Sequence, residues 1–276
     1  MTHYSRRQVA LTTLIAPILA TLANAEQRGS TMSATQVGSY LDKMPAAWAG
    51  REKIAIVVYE HMVPLDVIGP HYFLGRLPGA QVQFVARNLD PVTCESGLTI
   101  MPSATFDSCA SDLDVLLVGG GSSGTVAAMR DQRTIDFLAD RGSRAKWVTS
   151  VCTGALLLGQ AGLLRGYRAT SHWVARPLLK EFGATEVDQR VVFDRNRVTG
   201  AGVSAGLDFA LALIQRLRPL EFAQTVQLLA EYAPEPPLHS GTPEGAPPAV
   251  VTEVRQLTSD FIDSARELAR SARVGS

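Results

Sequence analysis

Cysteine is scarce in this chain: Cys94, Cys109 and Cys152 are the three among 276 residues. A disulfide-stapled scaffold is thereby excluded, and an odd count leaves at least one thiol unpaired within the chain. Cys94 and Cys109 are the two that an oxidising compartment could join; two separate small buried residues is the other reading. Neither sign of charge prevails, since 26 Lys and Arg balance 26 Asp and Glu. No basic stripe marks a nucleic-acid partner. Long apolar runs are also missing: the stretch from Ala10 to Leu22 is short for a membrane span, and Pro17 interrupts it. What is present is 46% apolar and 19% charged residues, enough to build one domain with a large core.

The stretch from Ala10 to Leu22 follows Ser5-Arg6-Arg7-Gln8-Val9 and precedes Ala23-Asn24-Ala25. Paired arginines, a modest apolar core and an A-x-A end predict a twin-arginine signal at residues 1–25, cleaved after Ala25. An uncleaved anchor is the alternative. The expected partner is the twin-arginine export machinery, and the expected location is the periplasm or the exterior. Residues 26–51 read as a polar lead-in, 52–233 as an α/β domain, and 234–276 as a strap and a helix. The strap carries Pro234, Pro236, Pro237, Pro243, Pro247 and Pro248. Helical spacing of Val251, Val254, Leu257, Phe261, Ala265 and Leu268 predicts one amphipathic helix from Val250 to Arg270.

Between these ends, apolar strands alternate with helices. Lys53–Tyr59 and Asp114–Val118 are nearly continuous apolar runs, the pattern of strands buried on both faces, and Lys146–Val151 is the strand before Cys152. Gln81–Arg87 alternates as a strand, and Val92–Phe106 holds short β pieces broken by Gly97 and Pro102. Helices are expected at Asp66–Leu77, Thr125–Arg141, Thr153–Ala161, Val174–Phe182, Gly206–Leu217 and Leu220–Tyr232. Arg195-Asn196 reads as the turn of a hairpin between Val191–Asp194 and Arg197–Thr199. This order predicts a mostly parallel sheet covered by helices on both faces. Ligands of such sheets sit beyond the carboxyl ends of the strands. The loops after Tyr59, Val118 and Val151 converge there, bringing Asp66, Gly119-Gly120-Gly121 and Cys152.

Cys152 is the most chemical of these residues. Val148 to Val151 is a strand, and Thr153-Gly154 opens a helix, so the thiol sits on a sharp strand-to-helix turn. Free backbone N–H groups and a helix N-terminus there favour a thiolate. Cys152 is therefore the candidate nucleophile; a small core residue is the plain alternative.

The motifs together carry a resemblance. Pro64-Leu65-Asp66-Val67-Ile68-Gly69-Pro70, the triple glycine, Thr149-Ser150-Val151-Cys152-Thr153-Gly154 and Ala169-Thr170-Ser171-His172-Trp173 occur in order. Gly200 to Ala210 and Gln227 to Pro234 continue the series. From Ile54 onward the chain resembles the PfpI-like, class I glutamine-amidotransferase-like superfamily, and within it the isonitrile hydratases. The twin-arginine leader is a departure from that group. The resemblance implies a flavodoxin-like sandwich, a homodimer, and no metal or organic cofactor. It also implies a cysteine nucleophile at Cys152, an essential carboxylate at Asp66 and a hydroxyl beside the nucleophile at Thr153.

The implied reaction is hydration of a small-molecule isonitrile to an N-substituted formamide. An isonitrile's terminal carbon accepts a thiolate once the charge on its nitrogen side is relieved by a proton, giving a thioimidate on Cys152. Asp66 delivers that proton and then helps activate water. Thr153 holds Asp66, a water or the thiolate. Backbone N–H groups of Thr153 and of the Gly120-Gly121 turn stabilise anionic character. Plainer readings stand beside these: Asp66 as the N-cap of a helix starting at Val67, Thr153 as a first-turn residue, the glycines as a packing turn. His172 is expected to support the site without touching substrate, and Asp208 to be a cap or structural contact. Trp173, Phe73, Tyr72 and Val203 are candidate pocket walls. Two other functions compete: a glyoxalase or deglycase acting on small aldehydes, and a non-enzymatic small-molecule binder related to the sensor domains of AraC-type regulators. Asp66 in the first loop, where aldehyde enzymes use a glutamate, favours the hydratase. After Tyr232 the sequence reads as a strap and a helix, not as a DNA-binding domain.

Overall fold

A computed structural model describes residues 44–274. The twin-arginine motif and most of the lead-in lie outside the described residues.

Seven strands form the main sheet: β1 (Lys53–Val57), β2 (Gln81–Ala86), β5 (Ala104–Thr105), β6 (Val115–Val118), β7 (Trp147–Val151), β10 (Val191–Asp194) and β11 (Arg197–Gly200). Their order is β10-β11-β7-β6-β1-β2-β5. All neighbours are parallel except β10 and β11, the hairpin that turns at Arg195 with φ of 53°. The flavodoxin-like, mostly parallel sandwich is therefore as the sequence implied. Two short pairs lie outside it: β3 (Val92–Thr93) with β4 (Thr99–Ile100), and β8 (Arg168–Ala169) with β9 (Thr185–Glu186).

Alternation along the central strands divides the core in two. Ala55, Val57, Leu116, Val118 and Val148 face one side. There they meet α2 (Ser123–Arg130), α3 (Gln132–Arg144), α4 (Gly154–Gln160), a 3-10 helix (Arg176–Phe182) and the last helix. Ile54, Ile56, Val58, Leu117 and Val151 face the other, against α1 (Leu65–Leu74), α5 (Ala205–Leu217) and α6 (Leu220–Leu229). Fully buried leucines such as Leu116 and Leu117 each contribute on the order of 2 kcal/mol. Cys94 and Cys109 are free and lie in opposite core layers, so the pairing alternative is not realised.

Two expected helices are broken and a third winds more tightly than an α-helix. The helix predicted over Thr125–Arg141 is interrupted at Asp131, which is extended (φ −80°, ψ 99°) and accepts a hydrogen bond from Thr134 Oγ1 at 2.6 Å. Aspartate prefers such caps to helix interiors. Arg176–Phe182 winds as a tight 3-10 helix with Pro177 near its start and ends at Gly183, φ 73°. The C-terminal helix divides at Thr258 into α7 (Pro248–Leu257) and α8 (Ser259–Val274). The Thr258 hydroxyl donates to Val254 O at 2.8 Å, competing with the backbone ladder. Only α8 docks, burying Ala265 and Ala269; α7 has no buried residue.

The chain builds outward from β1 in both directions, so the switch point lies between β1 and β6. The crevice beyond their carboxyl ends is where this topology places a ligand. Cys152, Asp66 and the glycine run meet at that edge.

Candidate active site

Cys152 follows β7 directly with φ of 59°, a left-handed conformation that costs a non-glycine residue energy. Three hydrogen bonds over-determine it. Its N–H donates to Ala201 O at 2.8 Å and Gly200 O at 3.2 Å, and its carbonyl accepts from Ser171 Oγ at 2.8 Å. The side chain is 4% exposed. Burial, and then the charge of Asp66, push the thiol well above its ordinary range, while the N–H groups of Thr153 and Val203 pull the other way. The expectation of a stabilised thiolate is thus corrected. Backbone donors do point at the sulfur, but desolvation outweighs them.

Asp66 is not the N-cap. Pro64 holds that place and α1 begins at Leu65, leaving Asp66 in the first turn with no exposure. Its carboxylate reaches across the crevice, where Oδ2 accepts from Gly120 N–H at 2.7 Å. Oδ1 is buried without a partner of ordinary hydrogen-bond geometry. Burial raises this carboxyl to about 7; Glu95's charge adds to the rise, and donation from Gly120 N–H and the Cys152 thiol opposes it. Asp66 and Cys152 therefore titrate as a pair that holds one or two protons near neutrality.

The glycine run is saturated. Gly120 N–H is taken by Asp66, and Gly120 O accepts from Val63 N–H at 2.8 Å. Gly121 N–H donates to Thr153 Oγ1 at 2.9 Å, and Thr153 Oγ1 donates back to Gly121 O at 2.6 Å. Gly119 O accepts from Tyr59 OH at 2.8 Å. In this arrangement neither Gly120 nor Gly121 offers a free N–H to an oxyanion. The donors aimed at the sulfur are those of Thr153 and Val203. The Thr153 hydroxyl likewise touches neither Asp66 nor the thiol; it fastens Gly121 and meets Thr125 Oγ1 at 3.0 Å.

His172 is half-buried, and Nδ1 accepts from Val174 N–H at 3.4 Å; burial alone lowers its basicity. It bonds to neither Cys152 nor Asp66 in the structure. Asp208 stands in the first turn of α5, paired with Arg190 and accepting from Tyr232 OH, a structural contact as expected. Of the candidate walls, Val203 reaches the site through its N–H. Phe73 is in the core, and Tyr72 is an exposed ring under the Arg76 guanidinium. Trp173 lines a cleft of about 310 Å³ with Pro177, Arg255 and Ile262 at the break between α7 and α8. Sequence reasoning missed Tyr59, Thr125, Ser171 and Glu95. Isolated hydroxyls carry no periodic signal, and only the fold brings them together.

A family model for the DJ-1/PfpI family matches residues 52–216. The chain belongs to the DJ-1/PfpI family. Within that family it is 45% identical over 220 residues, 80% of this chain and 96% of the other, to a Pseudomonas putida protein named isonitrile hydratase. A crystal structure of a ThiJ/PfpI family protein from Pseudomonas syringae is 47% identical, with a TM-score of 0.80, covering 89% of this chain and 98% of that one. Drosophila melanogaster DJ-1beta shares the fold at 24% identity and a TM-score of 0.62, over 67% of this chain and 100% of its own.

Proposed function

We propose that this protein hydrates isonitriles to N-substituted formamides through a thioimidate on Cys152. The observation that carries the reading is the buried pair: the Asp66 carboxyl, lifted to about 7, beside a thiol held on a strained turn. The likeness to a protein named isonitrile hydratase supports the substrate class.

The reaction needs a proton placed on carbon, and a carboxyl that titrates near neutrality is suited to move it. The Cys152 sulfur bonds to the isonitrile's terminal carbon. The thiol proton passes to Asp66 and from there to that same carbon, giving R–N=CH–S–Cys. Water then adds to this carbon, with Asp66 taking a proton from it and supplying one to nitrogen. Collapse breaks the C–S bond, restores the thiol and releases R–NH–CHO. One water is consumed, and no electrons are gained or lost. The N–H groups of Thr153 and Val203 steady negative charge on sulfur as it attacks and leaves. We also propose that the protein acts after twin-arginine export, a reading supported by the Arg6-Arg7 motif alone.

The test uses protein from Glu26 onward, wild type and Cys152→Ala, with a simple alkyl or aryl isonitrile under reducing conditions. Loss of the isonitrile stretch and appearance of the formamide are followed. Turnover in the wild type that falls at least a thousandfold in the variant is expected. Folded, reduced wild type that turns over no isonitrile overturns the proposal and favours aldehyde chemistry.

A further inference from the structure

Behind the Asp66–Cys152 pair lies a chain of buried hydroxyls that the reaction does not use. Tyr59 follows β1, Thr125 lies in the first turn of α2, and Thr153 opens α4, so three separate elements supply it. Tyr59 OH is 3.2 Å from Thr125 Oγ1, and Thr125 Oγ1 is 3.0 Å from Thr153 Oγ1. Thr125 and Thr153 are 0% and 3% exposed.

Each hydroxyl has one hydrogen to give, and this fixes the direction of the chain. Thr153 spends its hydrogen on Gly121 O at 2.6 Å. Thr125 must therefore be the donor to Thr153. Tyr59 gives its hydrogen to Gly119 O at 2.8 Å and leans toward Thr125 at the longer distance. Tyr59 and Thr125 thus fasten both ends of the Gly119–Gly121 turn, one directly and one through Thr153. Between those ends is the Gly120 N–H, the one backbone donor on the Asp66 carboxylate among the described residues.

We propose that Thr125 is a positioning residue: by donating to Thr153 it holds the Gly119–Gly121 turn so that Gly120 N–H stays on the Asp66 carboxylate. It touches no reacting atom. Its effect on the reaction passes through Asp66, so this inference rests on the role proposed for that residue. The groups that face Asp66 are the Cys152 thiol from the turn after β7, Glu95 from the β3–β4 hairpin and Tyr59 from the end of β1. Of these only Tyr59 touches Thr125, and burial keeps its phenol neutral, so no charge facing Asp66 changes when Thr125 does. Loosening the turn weakens a donor that favours the ionised carboxylate, so the Asp66 titration moves up.

The experiment compares wild type with Thr125→Val, Thr125→Ala and Thr125→Ser. Two quantities are read: the midpoint of the step that Asp66 ionisation, near 7, puts in the pH dependence of Cys152 alkylation by iodoacetamide, resolved by peptide mass, and steady-state isonitrile hydration. Thr125→Val is expected to move the alkylation midpoint up by roughly half a unit or more and to lower kcat about tenfold, the scale of one lost hydrogen bond, with KM within about twofold. Thr125→Ser restores both. A Thr125→Val protein with the wild-type melting point, midpoint and kcat overturns the proposal, as does a Ser variant no better than Val. Should Thr125→Val fail to fold, Thr125→Ala, which also lacks the hydroxyl, decides, with the same upward shift expected and an unchanged midpoint overturning the idea. The alkylation midpoint needs no substrate. Wild type inactive on isonitriles therefore sinks the proposed reaction, while the midpoint still judges the role of Thr125.

Discussion

Cys152 lies between two glycine-containing loops that do opposite things. In the Gly119–Gly121 turn the backbone is spent internally: Gly119 O on Tyr59, Gly120 N–H on Asp66, Gly121 N–H and O on Thr153. The loop after β11, from Ala201 to Ser204, keeps Val203 N–H for the sulfur. Crowding differs in the same sense. A Cβ at Gly120 would sit 2.3 Å from Thr153 Oγ1 and 2.4 Å from its backbone nitrogen. At Gly202 the nearest atom is the edge of the His172 imidazole, at 2.9 Å. Glycine at one position allows two backbones to pack; at the other it makes room for the edge of a side-chain ring. A triple glycine invites an oxyanion-hole reading, yet here the triple-glycine loop is tied to its neighbours and the loop after β11 is the one that aims an N–H at the Cys152 sulfur.

The largest test of that contrast is Gly120→Ala. Thr153's backbone cannot move without disturbing Cys152 beside it, so the added methyl must displace the turn. Overpacking of this kind costs about 3 kcal/mol, on the order of 10 °C in a protein of this size. A thermal melt should show that drop, with isonitrile turnover reduced at least a hundredfold. A melting point and rate close to wild type would mean the turn is not the more crowded of the two.

Asp66→Asn comes next and separates the stability of the scaffold from its function. A carboxyl raised to about 7 by burial is ionised in both folded and unfolded protein at pH 8, and burial then disfavours the folded state. Between its unfolded value of 3.8 and about 7, the folded protein binds the extra proton. Stability linked to this group is therefore present at low pH and lost as pH rises through about 7. Asparagine keeps an acceptor for Gly120 N–H and never ionises. The variant should be nearly inactive yet melt several degrees above wild type at pH 8, with the advantage shrinking as pH falls toward 4. An advantage that grows on acidification would contradict the raised titration.

What the sequence made legible follows the same division. The β1 and β6 segments were readable because burial on both faces leaves nearly unbroken apolar runs, and β7 because it runs straight into Cys152 and a helix start. Cys152 and Asp66 were readable because a strand end, a turn residue and a helix start fall together. The fates of their neighbours were not. Whether Thr153 points at the thiol or at Gly121, and whether Gly120 N–H is free, depend on distances across three elements. The helix breaks at Asp131 and Thr258 each coincide with a single side-chain hydrogen bond, from Thr134 to Asp131 and from Thr258 to Val254 O, which apolar periodicity does not register. Thr125 sits in a helix and Tyr59 just beyond a strand, with nothing in either segment to mark them.

The smallest effect should come from the loop after β11. In Gly202→Ala the methyl meets only Cδ2 of His172, the far end of a side chain that can turn away. That ring's one hydrogen bond, from Val174 N–H, is long at 3.4 Å and weak. His172 bonds to neither Cys152 nor Asp66, so its displacement should reach Cys152 only through its neighbours: the Ser171 hydroxyl on Cys152 O, Ala201 O and the Val203 N–H. Gly202→Ala is expected to change kcat by less than about fivefold and to leave the alkylation midpoint where it is, and Gly202→Ala in a His172→Ala background should fall closer still to its parent. A loss comparable to that of Gly120→Ala would make the two loops equally crowded and remove the distinction between them.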